Sequence, residues 1–239
     1  KYYGLRKKAL KKDKQYMWDV SINLEKEFDQ KYPYEKAREL ITEGLKPLGE
    51  DYIEVLNRGF DDRWVDVYPR EGKAGGAYSW GSFDTDPYIL MNYTDTLDSM
   101  FTLAHEFAHS MHSYYSKSDN DYLYAQYKIF VAEVASTFNE LTLLDYLLKN
   151  VKNKNEKIYI LNYYINMFIG TVFRQTMFAE FEKNTHLEVE AGNALTADDF
   201  TRIMSELNDK YYGENVEKSE LASYLWARIP HFYTNFYVY

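Results

Sequence analysis

The sequence feature that most constrains the fold is the run His105-Glu106-Phe107-Ala108-His109. Its two histidines are four residues apart, so on a helix they project from one face, close enough to chelate a single Zn²⁺. Glu106 lies roughly 100° further round such a helix, where its carboxylate can act on water at the metal without being a ligand. The run therefore predicts a hydrolytic zinc site carried by a helix.

The residues around this run have the spacing of an amphipathic helix, with the two histidines on a face beside the apolar stripe. The stripe consists of Phe101, Ala104, Ala108, Met111 and Tyr115. A motif of this kind also arises by chance, in helices whose histidines are merely solvated or packed. The regular stripe favours the zinc interpretation over that coincidence.

A third zinc ligand has to come from elsewhere in the chain, because a catalytic zinc usually has three protein ligands and one open position. The sequence contains no cysteine, so this ligand is a carboxylate or another histidine. Glu133 lies in an apolar helical stretch, where an unpaired carboxylate would be costly. Spacing and burial favour Glu133, and they leave Glu140 and His112 as alternatives.

Several stretches of the sequence resemble the thimet oligopeptidase and oligoendopeptidase F family of zinc metallopeptidases, most closely the oligoendopeptidase F branch. They are residues 101–113, 130–136, 68–73, 76–79 and 228–233. The resemblance implies that His105, His109 and Glu133 bind one Zn²⁺ per chain and that Glu106 is the general base. His112 and Glu140 match family positions that are not ligands, so we expect them to support the site.

The resemblance also implies a mainly α fold, a helical zincin-type metallopeptidase catalytic domain with a small β-hairpin or sheet beside the zinc site. We expect residues 1–239 to form a single catalytic domain of a longer family chain, with a helical lead-in over 1–67 and a zinc-peptidase core over 68–239. Apolar periodicity predicts helices over six segments and another before Trp226. The six segments are about 2–30, 34–60, 95–117, 124–149, 155–184 and 197–212. Thr196 and Asp199 are spaced as a capping box at the start of the last segment.

The stretch from Gly75 to Asn92 departs from the helical pattern. Residues 77–80 and 87–92 are rich in strand-forming side chains, and the residues between them have turn character, so we predict a hairpin. It could simply fill the core, or one strand could offer its edge to an extended peptide. The resemblance favours the second role and implies a substrate-binding segment made of Gly75, Gly76, Ala77 and Tyr78.

The C-terminal residues are densely aromatic. Phe232 and Phe236 are expected in the core. Histidine and tyrosine side chains can donate hydrogen bonds to a developing oxyanion, and related enzymes use such residues from this region. We therefore expect His231 and Tyr239 to be catalytic. Weaker candidates, assigned to substrate binding, are Tyr233 and Tyr237.

Composition narrows the possible partners. A net charge of −9 argues against nucleic-acid binding, and the basic residues between Arg6 and Lys14 are expected to form a solvated helix face. No apolar run is long enough to span a membrane, no signal-peptide pattern opens the sequence, and we expect no membrane partner. The absence of cysteine is compatible with the reducing cytoplasm, where we expect the protein to be.

Together these features predict a zinc-dependent endopeptidase, and the family resemblance implies that it hydrolyses short unstructured oligopeptides. One alternative is a catalytically silent peptide-binding or structural domain, and a second is a zinc hydrolase that does not act on peptides. The complete set of His105, Glu106, His109 and Glu133 weighs against a silent domain. The sequence does not indicate the oligomeric state or the preferred cleavage site.

Overall fold

The computed structural model describes residues 1–22, 24 and 30–234. The chain divides into two compact units, one formed by Lys1–Glu27 with Leu161–Tyr239 and the other by Phe28–Ile160. The predicted mainly helical architecture is confirmed. The helices are α1 (Tyr2–Ala9), α2 (Tyr34–Leu45), α3 (Glu50–Asp61), α4 (Leu97–Asp119), α5 (Ile129–Asn150), α6 (Lys154–Phe168), α7 (Arg174–Glu190) and α8 (Ala197–Tyr212).

The predicted helix over 2–30 is wrong in its extent. Helix α1 ends at Ala9, and Lys11 adopts a positive φ of 51°, which an α-helix does not accommodate. A 3₁₀ turn, Met17–Ser21, follows, and residues 23 and 25–29 lie outside the described part of the chain. The solvated basic face is also wrong for Arg6, which is buried and donates hydrogen bonds to backbone carbonyls in and just after the 3₁₀ turn.

Two other predicted helices are interrupted. The segment 34–60 is divided into α2 and α3 by a 3₁₀ turn containing Pro47 and by Gly49, whose φ is 105°. The segment 155–184 contains a π-helical turn, Ile169–Phe173, between α6 and α7.

Helices α4, α5 and α8 lie close to their predicted positions. The capping box of α8 is confirmed, since Thr196 and Asp199 exchange side-chain to backbone hydrogen bonds. The helix expected before Trp226 is instead a 3₁₀ segment, Glu220–Arg228.

In the unit Phe28–Ile160, α4 is the central element, packed against α2, α3, α5 and a small sheet. Its apolar stripe is buried as predicted for Phe101, Ala104, Ala108 and Met111. Helix α3 approaches α4 closely because Gly59 has no side chain, which leaves room for the rings of Trp64 and Phe107. This unit therefore holds α4 from several sides.

The sheet contains β1 (Val65–Asp66), β2 (Tyr78–Trp80) and β3 (Tyr88–Leu90) in the order β1-β3-β2. The predicted hairpin is confirmed, because β2 and β3 pair antiparallel with Ser79 opposite Ile89. Strand β1, which pairs parallel to β3, was not predicted because it is only two residues long. Within the described residues β2 is at the edge of the sheet, and it contacts α4.

The unit formed by Lys1–Glu27 and Leu161–Tyr239 has its own apolar core between α7 and α8. Phe232 packs against this core, as predicted, and contacts Phe178 and Phe181. Phe236 lies outside the described residues.

Of the helices in the described ranges, none is both long enough and apolar enough to cross a membrane. The predicted division into a lead-in over 1–67 and a core over 68–239 stays a prediction.

The close approach of α3 and α4 can be tested by Gly59→Ala. A Cβ at this position would lie 2.6 Å from a Trp64 ring carbon and 2.9 Å from a Phe107 ring carbon. We expect the free energy of unfolding, measured in urea, to fall by about 1–3 kcal/mol through overpacking. Gly170→Ala is the control, because its Cβ would meet nothing within 4 Å. A Gly59→Ala variant as stable as the parent would contradict this packing.

Candidate metal centre

Helices α4 and α5 bring three predicted ligands together. Nε2 of His105 is 3.1 Å from Nε2 of His109 and 3.3 Å from Oε2 of Glu133. The remaining pair, Nε2 of His109 and Oε2 of Glu133, is 3.6 Å apart. In the part of the chain that the structure describes, these side chains form the one group of histidines and carboxylates that could hold a metal ion.

The spacing of these atoms fits a zinc ion. Ligand atoms about 2.0–2.1 Å from a tetrahedral zinc lie about 3.3 Å from one another. The observed separations of 3.1, 3.3 and 3.6 Å bracket that value. Two imidazole nitrogens and one carboxylate oxygen are also a donor set that zinc accepts, and three protein ligands would leave a fourth position open.

Glu140 orients the first of these ligands. Its Oε1 is 2.6 Å from Nδ1 of His105, so the imidazole donates a hydrogen bond through Nδ1 and directs Nε2 towards His109 and Glu133. A carboxylate that fixes the tautomer of a ligating histidine in this way is typical of zinc sites. Glu140 is buried and contacts His105 on the side of the ring away from Nε2. This is the position that we expect of a residue that supports the site without binding the metal.

Helix α5 is held in register with α4 by polar contacts. Asn139 donates a hydrogen bond of 3.2 Å from Nδ2 to the Ala104 carbonyl of α4 and exchanges hydrogen bonds with the Tyr52 hydroxyl. One turn earlier, the Ser136 hydroxyl donates to Oε2 of Glu133 at 2.7 Å. These contacts fix the height and orientation of the Glu133 carboxylate.

The charges of the group are balanced by protons when no metal is bound. Burial alone lowers the pKa of His105, but its hydrogen bonds to Glu133 and Glu140 raise the pKa to about 10. Burial raises the pKa of Glu133, but hydrogen bonds from His105 and Ser136 hold it well below its usual range. Burial and the charge on His105 lower the pKa of His109 to about 4. In the metal-free protein the His105 imidazole therefore carries a positive charge, and a bound cation would take its place.

Glu106 has a different environment from the three grouped side chains. Its side chain is buried, and this burial raises its pKa to about 7, with a further increase from the negative charge of Glu133. The positive charge of His105 and a hydrogen bond from the Ser79 backbone N–H act in the opposite direction. A carboxylate with a pKa near 7 can accept and return a proton at neutral pH.

The same Ser79 backbone lies, within the described residues, at the edge of the sheet, where its N–H is bonded to Glu106. The backbone N–H groups of Ile89 and Met91 donate to carbonyls in and next to β1. The backbone N–H and C=O groups of the alternate residues, Tyr88 and Leu90, therefore face β2. These residues pair with Trp80 and Tyr78, and the intervening Ser79 therefore directs its N–H and C=O away from β3. Its side chain meets Ser110 of α4, with the two Oγ atoms 2.8 Å apart.

The predicted substrate-binding glycines precede this strand. Gly75 and Gly76 are exposed, and Gly76 has a φ of 81°, a conformation that glycine adopts without strain. Asn92 secures the segment by donating hydrogen bonds of 2.9 Å to the carbonyls of Ala74 and Gly76. Tyr78 is 52% exposed. The segment is thus largely open to solvent, and it is held by Asn92 on one side and by the pairing of Tyr78 with β3 on the other. Its role in substrate binding stays a prediction.

The remaining candidates are placed differently. His112 stacks on Tyr127, with ring centroids 3.6 Å apart, and does not belong to the grouped side chains. His231 and Tyr233 lie in a 3₁₀ turn, Pro230–Tyr233, of the other compact unit. Tyr237 and Tyr239 fall outside the described residues. The catalytic and substrate-binding roles predicted for this tail stay predictions.

Sequence reasoning missed several residues that organise the centre. Ser136 and Asn139 are small polar residues at core positions of α5, three and six residues after Glu133, and this pattern could have identified them. Ser79 lies in the predicted strand 77–80, but its hydrogen bond to Glu106 and its contact with Ser110 were not predicted. The contact of Tyr52 with Asn139 joins residues far apart in sequence, and no local pattern indicates it.

The fold and the arrangement of these side chains define a mainly helical domain with a candidate metal centre. The model of Peptidase family M3 matches residues 1–239, and the chain belongs to this family. Oligopeptidase PepF of Bacillus subtilis is 47% identical over the whole chain. The chain spans 36% of the length of that relative, so it corresponds to little more than a third of it.

Solved structures agree with this assignment. Oligoendopeptidase F from Enterococcus faecium is 36% identical, with a TM-score of 0.65 over 99% of this chain and 34% of the other. A crystal structure from Chlamydophila abortus is 42% identical, with a TM-score of 0.79 over 100% of this chain and 40% of the other. The predicted family and fold class are therefore confirmed.

The ligand assignment can be tested by removing one imidazole from α4. His105→Ala should abolish stoichiometric zinc binding, because a three-ligand site rarely survives the loss of one member. His112→Ala is the matched control on the same helix and should keep the metal, since His112 stacks on Tyr127 instead. Elemental analysis after dialysis measures both variants. Zinc retained by His105→Ala, or lost only from His112→Ala, would overturn the assignment.

Proposed function

We propose that this chain carries the active centre of a zinc-dependent endopeptidase that hydrolyses short unstructured oligopeptides. The observation that supports this most strongly is the zinc-compatible spacing of His105, His109 and Glu133 next to the buried carboxylate of Glu106. Relatives named oligopeptidases support the same reaction class. Because the chain spans 36% and 40% of those relatives, the activity of a whole protein is part of the proposal.

In this proposal His105, His109 and Glu133 hold one zinc ion. When bound, zinc lowers the pKa of water and stabilises negative charge on a peptide carbonyl oxygen. Glu106 accepts a proton from the attacking water and later donates it to the leaving amine nitrogen. In the metal-free protein burial raises the pKa of Glu106 to about 7. Glu140 keeps His105 in the required tautomer.

The substrate main chain binds at the edge of β2 in this proposal. The Ser79 C=O directed away from β3 can accept a hydrogen bond from a peptide N–H, as in strand addition. The exposed segment of Gly75, Gly76, Ala77 and Tyr78 extends the same edge. Only an extended chain can add to a strand edge in this way, so unstructured peptides are the proposed substrates and folded proteins are excluded.

Oxyanion stabilisation by the C-terminal residues is a separate part of the proposal. His231 and Tyr239 are the proposed donors, with Tyr233 and Tyr237 contacting substrate. Hydrogen bonds of this kind form chiefly in the transition state. His231→Phe should therefore lower kcat by about 10²-fold and leave KM nearly unchanged, and an unchanged kcat would remove His231 from the reaction.

The proposal also covers the setting of the protein. Residues 1–239 act as one catalytic domain, with residues 1–67 as a helical lead-in. The protein is cytoplasmic and acts on peptides, and it binds neither nucleic acid nor membranes. The net charge of −9 and the absence of cysteine are compatible with this setting.

Two isosteric substitutions separate the base from the ligand. Glu106→Gln should keep zinc but lose most peptide hydrolysis, because an amide cannot accept the proton of water. Glu133→Gln should lower the affinity for zinc, because an uncharged amide is a poor zinc ligand. Zinc content by elemental analysis and cleavage of a quenched fluorescent peptide are measured on both variants and on the parent chain.

A catalytically silent domain gives a different pattern of results. In that case the parent chain binds zinc yet does not cleave the peptide, and Glu106→Gln changes nothing. If Glu106→Gln instead loses zinc while Glu133→Gln keeps it, the roles of the two carboxylates are exchanged. Chelation followed by addition of zinc is the control, since it should abolish and then restore cleavage in the parent chain.

A further inference from the structure

The face of the sheet opposite α4 carries three exposed aromatic rings. Ser79 and Ile89 face the interior, where Ser79 meets Ser110 of α4. Side chains alternate along a strand, so Tyr78 and Trp80 of β2 lie on the other face together with Tyr88 of β3. Their exposed fractions are 52%, 77% and 54% respectively. Three large aromatic side chains are thus exposed on one face of this small sheet.

This surface is concave. It borders an open groove of about 780 Å³, between the strands and the segment from Asp62 to Asp66 that leads into β1. Of the charged residues beside it, Asp66 pairs with Arg70 at 2.7 Å and with Lys73 at 3.2 Å, and Asp62 and Arg63 are exposed. On the strands themselves, the surface presents aromatic rings to a ligand.

The hairpin that carries the rings is anchored to α4. Lys117 donates hydrogen bonds to the carbonyls of Ser82 and Thr85 in the turn between β2 and β3. Together with the contact between Ser79 and Ser110, this fixes the hairpin at two points along α4. The aromatic face is therefore held in a defined position relative to the strand edge.

A peptide added to the edge of β2 continues the pleat of the sheet. Its alternate side chains point towards α4, and those between them point to the aromatic face. Tyr78 and Trp80 are two residues apart on that face, so they match two peptide side chains at positions i and i+2. Adjacent peptide residues cannot both reach this face.

We propose that the surface formed by Tyr78, Trp80 and Tyr88 selects peptides with aromatic or large apolar side chains at positions i and i+2. The inference rests on the proposed binding of peptides at the β2 edge. It adds a specificity determinant, because the edge itself contributes only main-chain hydrogen bonds, which any sequence can make. Rings of the peptide would pack against Trp80 and Tyr78.

The test measures binding to the chain freed of metal by dialysis against a chelator. Two short peptides of identical composition carry two phenylalanines, either at i and i+2 or at adjacent positions. Isothermal titration calorimetry should show tighter binding of the i, i+2 peptide. Trp80→Ala should raise its Kd about tenfold, and Trp80→Phe should restore most of the affinity. Trp18→Ala is the control, since Trp18 is 63% exposed in the other unit, and should leave the Kd unchanged.

Equal affinities for the two peptides would overturn the inference, as would an unchanged Kd in Trp80→Ala or no measurable binding by the parent chain. Circular dichroism of Trp80→Ala, compared with the rescued Trp80→Phe variant, separates lost contacts from lost folding. The experiment needs neither metal nor hydrolysis. A chain that binds the i, i+2 peptide selectively but cleaves nothing would keep this inference and refute the proposed peptidase reaction.

Discussion

The candidate site depends on the packing of α4 against α5. Glu133 can join His105 and His109 only if the two helices are fixed in height and rotation. The hydrogen bond from Asn139 to the Ala104 carbonyl sets that register, and the 2.6 Å contact of Glu140 with His105 sets the orientation of the imidazole. A rotation of α5 by one residue, about 100°, would move Glu133 away from both histidines.

This packing concentrates charge in a confined space. Glu106 of α4 and Glu140 of α5 are buried, and Oε2 of Glu133 lies 3.3 Å from Nε2 of His105. Desolvation of Glu106 favours its neutral form, which is why its pKa rises to about 7. The positive charge at His105 offsets part of that cost in the metal-free state.

Much of this could be predicted from the sequence because it is local. The spacing of His105 and His109, the apolar stripe of α4 and the hairpin around Ser79 all follow from periodicity within a few residues. Tertiary contacts decided the rest. Arg6 is buried and donates to backbone carbonyls that lie later in the chain. The turn at Gly49 separates α2 from α3, whereas the apolar spacing predicted one continuous helix. The choice among Glu133, Glu140 and His112 depends on how two helices pack, which spacing could rank but not determine.

The most direct test of the account is to locate the metal itself. Crystals grown with zinc, with diffraction data collected on both sides of the zinc absorption edge, would place the ion by anomalous scattering. We expect one strong peak about 2.0–2.2 Å from Nε2 of His105, Nε2 of His109 and an oxygen of Glu133. A peak bound by Glu140 or His112 in place of Glu133, or no peak between α4 and α5, would contradict the account.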